Sequence, residues 1–89
     1  MARYRKRPVE VDAVRYDGNN VEGVFAWARS LDVDEDAMYH TSSSGLVIHT
    51  LEGSMRADAG DWVVCGTAGE FYPVKPSIFE QVYEPAGGA

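Results

Sequence analysis

The feature of this sequence that most constrains its fold is a series of closely spaced turns in the second half of the chain. Turn-forming residues occur at 42–45, 52–53, 58–61 and 66–69, and each of these groups contains a glycine. Glycine adopts left-handed backbone conformations without steric penalty, which is why tight turns use it. The segments between the turns are too short for ordinary helices but suit short strands. Together they favour an antiparallel meander that curls into a partial barrel.

The apolar segments between these turns are predicted strands. Residues 46–51 alternate clearly, because Leu46, Ile48 and Thr50 fall on one side and the intervening residues on the other. A segment near the N-terminus alternates in the same way. We therefore predict short strands at 9–16, 38–41, 46–51, 54–57, 62–65 and 70–74, with a final edge strand at 82–84.

One helix is predicted between the first strand and the meander. After a turn at 17–19, apolar residues recur with helical period and form one stripe: Val21, Val24, Phe25, Ala28 and Leu31. Asn19 or Asn20 is expected to cap this helix. Gly23 lowers its helix propensity, and we expect this glycine to allow close packing against the sheet.

These elements predict an α+β protein. Its centre is a small curled antiparallel sheet, a partial barrel of about five short strands, with one α-helix packed on it near the N-terminus. Pro76 suits the first position of a short C-terminal helical turn at 77–81. A chain of 89 residues forms one domain. We place that domain at 1–85 and expect a frayed tail at 86–89.

Charge is distributed unevenly along the chain. The net charge is −6, yet five of the eight basic residues lie among the first fifteen: Arg3, Arg5, Lys6, Arg7 and Arg15. An arm of this kind can contact phosphate, but the strongly acidic remainder repels polyanions. We therefore interpret the basic run as a charged lead-in to an edge strand, which discourages aggregation between sheets. Nucleic-acid binding is disfavoured.

The sequence does not indicate a metal site. Asp32, Asp34 and Asp36 resemble the start of a calcium-binding loop, but Ala37 and Ser43 stand where that loop needs glycine and glutamate. A solvated acidic loop explains these residues better.

A catalytic site is not indicated either. The soft ligands are Cys65, His40 and His49, and they lack the paired spacing typical of zinc sites. Cys65 falls in an apolar strand, where a thiol is usually a small buried hydrophobe. The default role of the two histidines is at the surface or in the core, and a position as neighbours across two strands is the alternative. We predict that the chain is not an enzyme and needs no cofactor.

The best candidate for binding is the aromatic-rich stretch 62–75. Strand pairing is expected to bring Trp62 and Tyr72 together, with charged residues completing a pocket for a small planar ligand or a partner loop. Simple maintenance of the fold is the alternative reading. Trp27 lies off the centre of the helical stripe, so it either borders the core or marks an interface. The candidate residues are Trp27, Arg56, Trp62, Glu70, Tyr72 and Lys75.

The chain also carries an ordered series of motifs: T-L-E-G at 50–53, G-D-W-V-V at 60–64, G-E-F-Y-P-V-K-P at 69–76, I-F-E at 78–80 and Y-E at 83–84. In order and spacing the series resembles a family of small bacteriophage and prophage proteins, and residues 4–13 are similar to that family's usual opening. Two positions depart from the pattern. Ala59 replaces a proline, and Val74 replaces a cysteine, which removes a thiol and speaks against thiol-based function.

The resemblance implies a bacteriophage gene product that acts in the cytoplasm of the infected bacterial host, and it assigns no chemistry. We predict a non-enzymatic accessory protein that binds a host or phage protein as a homo-oligomer, without a membrane span. Two alternatives remain open. One is a small-ligand binder, such as a nucleotide-signal sponge acting against host defence. The other is nucleic-acid binding through the N-terminal arm.

Overall fold

A computed structural model describes residues 1–4, 8–32 and 35–86. The parts of the basic arm, the acidic loop and the tail at 5–7, 33–34 and 87–89 lie outside the described residues. The described elements are β1 (Asp12–Arg15), α1 (Val21–Ser30), a 3-10 turn (Glu35–Ala37), β2 (Met38–Thr41), β3 (Gly45–Thr50), β4 (Gly53–Ala57), β5 (Trp62–Cys65), β6 (Phe71–Val74) and α2 (Pro76–Val82).

The described strands form two antiparallel sheets of three strands each, in the orders β1-β5-β6 and β2-β3-β4. The α+β class is confirmed, but the single curled sheet of about five strands is wrong. The expected meander breaks between β4 and β5, which do not pair. Instead β5 takes β1 as its neighbour, with Ala13 opposite Val64 and Arg15 opposite Trp62.

The break between the sheets arises at the 58–61 turn. This segment forms a corner that is bonded to the end of β1. Tyr16 donates its N–H to the carbonyl of Asp61 at 2.9 Å, and Gly60 donates to the carbonyl of Tyr16 at 2.6 Å. Gly60 has a φ of +98°, a conformation that favours glycine. The corner therefore carries the chain from one sheet to the other instead of closing a hairpin.

The core lies between α1 and the two sheets. Val24 and Ala28 of the predicted stripe are fully buried, while Val21, Phe25 and Leu31 pack against the same cluster. The stripe is therefore confirmed. Both sheets contribute fully or nearly fully buried side chains to this core: Leu46, Ile48, Ala57, Val63 and Phe71. Burial of each large apolar side chain stabilises the fold by about 1.5–3 kcal/mol.

Two expectations about α1 are corrected in detail. Asn20 occupies the N-cap position, but its side chain makes no capping bond. It accepts a hydrogen bond from the N–H of Asp17 at 2.9 Å and donates one to the carbonyl of Arg15 at 2.8 Å, so it fixes the turn. Gly23 is exposed, and nothing lies within 4 Å of where a Cβ would stand. It therefore does not serve close packing.

The C-terminal helical turn is confirmed as α2, whereas the edge strand at 82–84 is wrong. Pro76 begins the helix, and Val82 is its last residue. Tyr83 then donates its N–H to the carbonyl of Phe79 at 2.9 Å. This bond closes the helix. It uses the N–H of Tyr83, which the expected edge strand would have needed for pairing with a neighbouring strand.

The strand register gives the β1-β5-β6 sheet two distinct faces. The inner face, which carries Val14, Val63, Cys65 and Phe71, contacts the core. The outer face, which carries Ala13, Trp62, Val64 and Tyr72, points away from it. Although Val64 lies outside the core cluster, it has 0% exposure. The residues that cover the outer face therefore form a second, smaller apolar layer.

Candidate functional site

An open groove runs over the outer face of the β1-β5-β6 sheet. Residues 8–11 form one wall, and α2 with residues 83–86 forms the other. The bottom is formed by side chains of the outer face and by the turn before β6: Ala13, Trp62, Gly66, Thr67, Glu70 and Tyr72. We call this feature the outer groove. It is a concave surface lined by both aromatic and carboxylate groups.

Three aromatic rings are stacked in the outer groove. The rings of Trp62 and Phe79 are nearly parallel, at 5°, with centroids 4.2 Å apart. Phe79 in turn stacks on Tyr83 at 4.8 Å. Tyr83 directly follows α2 and its N–H bonds back to the carbonyl of Phe79, four residues earlier, so the two side chains lie on the same side of the helical turn. Each such pair contributes about 0.5–1.5 kcal/mol beyond its buried area.

A hydrogen bond ties this aromatic stack to the sheet. The hydroxyl groups of Tyr72 and Tyr83 are 3.2 Å apart. The pKa of Tyr72 is raised, first by burial and then by this bond, so its phenol stays protonated. The stack and the hydrogen bond together fix the positions of the rings relative to one another.

The walls of the outer groove leave apolar surface in contact with solvent. Within the described structure no residue of α2 is buried. Val82 on this helix is 58% exposed, and Val9 on the opposite wall is 59% exposed. Trp62, Phe79 and Tyr83 are only half-buried. The groove is thus an apolar surface that α2 covers incompletely.

Glu70 lies at the bottom of the outer groove in an unusual position. Its Oε2 atom is buried and has no hydrogen-bond partner among the described residues. The carboxylate lies directly over Gly66, where a Cβ would collide with it. The N–H of Gly66 donates to the backbone carbonyl of Glu70 at 2.8 Å, which closes the turn. Gly66 is therefore needed for the close approach of this carboxylate.

The outer groove is lined by negative charge, while Arg15 lies on the same face of the sheet opposite Trp62 and outside the lining. Its lining includes four glutamates, Glu10, Glu70, Glu80 and Glu84, and no lysine, arginine or histidine among the described lining residues. On the inner face, burial raises the pKa of the Cys65 thiol, and the charges of Asp12 and Glu70 raise it further. The four glutamates of the lining favour positive charge along the groove.

Arg56 and Lys75 are not brought into the outer groove. The Lys75 ammonium lies 2.9 Å from Asp58 Oδ2 and 3.0 Å from Asp61 Oδ2. Arg56 Nε lies 3.3 Å from the other oxygen of Asp58. Asp61 is buried and also accepts a hydrogen bond from the N–H of Asp58 at 2.9 Å. These two cations therefore stabilise the corner between the sheets.

Trp27 borders the core and is separate from the groove. Its ring meets the ring of Phe71 edge-on, with centroids 5.7 Å apart and an angle of 66°. Phe71 belongs to the inner face. Of the six candidate residues, the outer groove therefore brings together Trp62, Glu70 and Tyr72.

Sequence reasoning missed several lining residues, above all Phe79 and Tyr83. Their spacing of four behind Pro76 was the available signal, because a proline-initiated helical turn places them on one side. The alternative position of His40 and His49 as neighbours across two strands is wrong, since the register puts them on opposite faces of the β2-β3-β4 sheet. Across the described residues, no group of three or more candidate ligands is arranged to hold a metal ion.

Comparison of the chain with protein-family models, with curated proteins and with solved structures gives no match. Neither helix of the described residues has the length and apolar character needed to cross a bilayer.

Proposed function

We propose that this protein is a non-enzymatic binding protein that holds a segment of a partner protein in the outer groove. In line with the resemblance of its motifs, we propose that it is a bacteriophage accessory protein, that the partner is a host or phage protein, and that binding takes place in the cytoplasm of the infected bacterium. The observation that carries the proposal is the incomplete cover of the outer face by α2. A half-buried aromatic stack there is flanked by exposed valines.

The residue types in the groove support recognition of a protein. Tyrosine and tryptophan dominate the binding energy of many interfaces, because they bury large areas and keep a polar group for hydrogen bonding. Here Trp62 and Tyr83 keep part of their surface exposed. A partner segment that covered them would gain the area that α2 leaves open.

The groove is also preorganised. The stack of Trp62, Phe79 and Tyr83 and the bond from Tyr83 to Tyr72 fix the aromatic side chains before a partner arrives. Ordering flexible side chains is one of the main costs of association. A groove whose rings are already held in place avoids much of that cost.

A purely binding role is supported by the state of the single thiol. Burial raises the pKa of Cys65 and so disfavours the thiolate that a nucleophile needs. We include self-association in the proposal, because a chain of 89 residues has a small core and gains stability from surface buried between copies.

The two alternative functions gain nothing from the groove. A nucleotide or a nucleic acid would bring phosphate next to four glutamates. Arg56 and Lys75, the cations expected to meet phosphate, are engaged by Asp58 and Asp61. We therefore favour a protein partner.

Capture of partners from a bacterial host lysate by the tagged protein tests the proposal when matched variants are compared. Replacement of Val9 and Val82 by glutamine makes both walls polar without changing charge. Ile78→Gln is the control, because Ile78 is on the same helix and 52% exposed but does not line the groove. We expect a protein that is captured by wild type and control and lost with the double variant. Equal capture by all three would contradict the proposal.

A further inference from the structure

The chemistry of the outer groove restricts the kind of segment that it can hold. Four glutamates line it, and the described lining residues include no basic side chain. An acidic segment would be repelled there, and a neutral one would leave the charges unpaired. Charge complementarity across interfaces steers association and selects between partners. The groove therefore selects for positive charge.

One of the four carboxylates is in a different position from the others. Glu70 Oε2 is buried without a hydrogen-bond partner among the described residues, whereas Glu10, Glu80 and Glu84 are exposed. Buried acceptors in folded proteins are nearly always satisfied, and one that is not calls for an explanation. Because Oε2 is closed to solvent, a donor from a bound segment reaches it only if the Glu70 side chain rotates toward the groove, and a charged donor gives the strongest bond to a carboxylate.

The aromatic stack suits the rest of a basic side chain. Lysine and arginine place long aliphatic stems on apolar surface while their charged heads reach polar groups. Their heads also bind favourably to aromatic rings. Trp62, Phe79 and Tyr83 provide such a surface, and they line the same groove as the carboxylate of Glu70.

The field around Glu70 points the same way. Burial is the largest cause of the raised pKa of both Cys65 and Tyr72. The negative charges of Asp12 and Glu70 raise the pKa of Cys65 further, and the charge of Glu70 raises that of Tyr72 further. The electrostatic part of both shifts favours a cation near Glu70, whereas burial by itself disfavours charge of either sign.

We propose that the partner segment in the outer groove carries a lysine or arginine, whose charged head pairs with the carboxylate of Glu70 while its stem packs on the stack of Trp62, Phe79 and Tyr83. This inference rests on the proposed function and names the chemistry of the partner. The proposed occupant of the groove is therefore a basic segment of another protein.

The test begins with a library of random ten-residue peptides, selected on the immobilised full-length wild-type protein. The double glutamine variant of Val9 and Val82 serves to identify peptides that bind in the groove. We expect peptides that lose binding to this variant and that are enriched in lysine or arginine and depleted in aspartate and glutamate.

Affinity measurements on the selected peptides then isolate the role of Glu70. Glu70→Gln keeps the size of the side chain over Gly66 and removes its charge. Glu22→Gln is the control, because Glu22 is exposed in the first turn of α1 and its loss changes the net charge equally. We expect Glu70→Gln to weaken binding by about tenfold, as for loss of one charged hydrogen bond, and the control to bind like wild type. Replacing the peptide's arginine with citrulline should have a similar effect in wild type and little effect in Glu70→Gln.

The possible outcomes separate the inference from the proposed function. One contrary result is a set of peptides that lose binding to the double variant of Val9 and Val82 and yet lack basic residues. Another is a set that depends on these valines but binds Glu70→Gln as tightly as wild type. Either result would overturn the inference and leave the proposed function standing. If no selected peptide depends on the valines, both fail. If peptides bind only after the basic residues at 3–7 are replaced by serine, the groove serves the chain's own arm and the inference is overturned.

Discussion

The two faces of the β1-β5-β6 sheet are built from the same strands but differ in how they are covered. The inner face packs against α1 and the second sheet, and its Phe71 is 1% exposed. The outer face is covered by α2, which buries none of its own residues, so Trp62 stays half-buried. Alternate residues of one strand therefore have different roles. Those facing inward hold the fold together, whereas the outward-facing Trp62 and Tyr72 keep part of their surface exposed.

The largest expected effect comes from truncation on the inner face. Phe71→Ala removes a fully buried ring from the core and should lower the free energy of unfolding by about 3–5 kcal/mol. Urea denaturation followed by circular dichroism measures it. A loss below about 1.5 kcal/mol would mean that the inner face is not the main core.

The same truncation on the outer face should have a smaller effect. Phe79→Ala removes the middle ring of the stack, but that ring is half-buried, so we expect a loss of about 1–2 kcal/mol. Fluorescence of Trp62 should change as well, since its stacking partner is gone. If Phe79→Ala destabilises the protein as much as Phe71→Ala, the two faces contribute equally to stability and the comparison fails.

A substitution at Gly23 should stabilise α1, the helix that packs on the inner face, without touching the outer face. A Cβ at this exposed position meets no atom within 4 Å, and alanine is the better helix former. We expect Gly23→Ala to raise the free energy of unfolding by about 0.5–1 kcal/mol. Peptide binding in the outer groove should not change. A destabilised variant would show that this glycine has a packing role after all.

The smallest effect concerns the attachment of α2. Lys75 directly precedes α2, and its hydrogen bond and charge hold the pKa of Asp58 below the ordinary value of 3.8. Because the folded-state pKa is the lower one, the stabilisation is fully present above about pH 4 and is lost as the pH falls further. The urea midpoint should therefore fall less between about pH 6 and pH 3 in Lys75→Met than in wild type. Equal falls would mean that this pair does not contribute.

The sequence was sufficient for most local elements, because their signals are local, and the strand expected at 82–84 is the exception. The stripe from Val21 to Leu31 predicts α1, and the turns at 52–53 and 66–69 predict where strands end. The division into two sheets was not predictable in the same way. It depends on the bonds between Tyr16 and the corner at Gly60 and Asp61, residues far apart in the sequence.

The candidate site was predicted in part for a related reason. Trp62 and Tyr72 fall on one face because strand period and turn position define their register. Arg56 and Lys75 were expected to complete the pocket, but the aspartates of the corner engage both. Only the three-dimensional position of Glu70 over Gly66 shows that its carboxylate oxygen is buried.

The most direct test of the account uses the two tryptophans, since one reports on each face. Trp62 lies in the outer groove, and Trp27 packs against the inner face through Phe71. Their indole N–H signals can be followed by NMR while an arginine-containing peptide selected on the protein is added. We predict that the Trp62 signal shifts with saturation and that the Trp27 signal stays in place. A shift of Trp27 without one of Trp62 would contradict the assignment of the outer face as the binding surface.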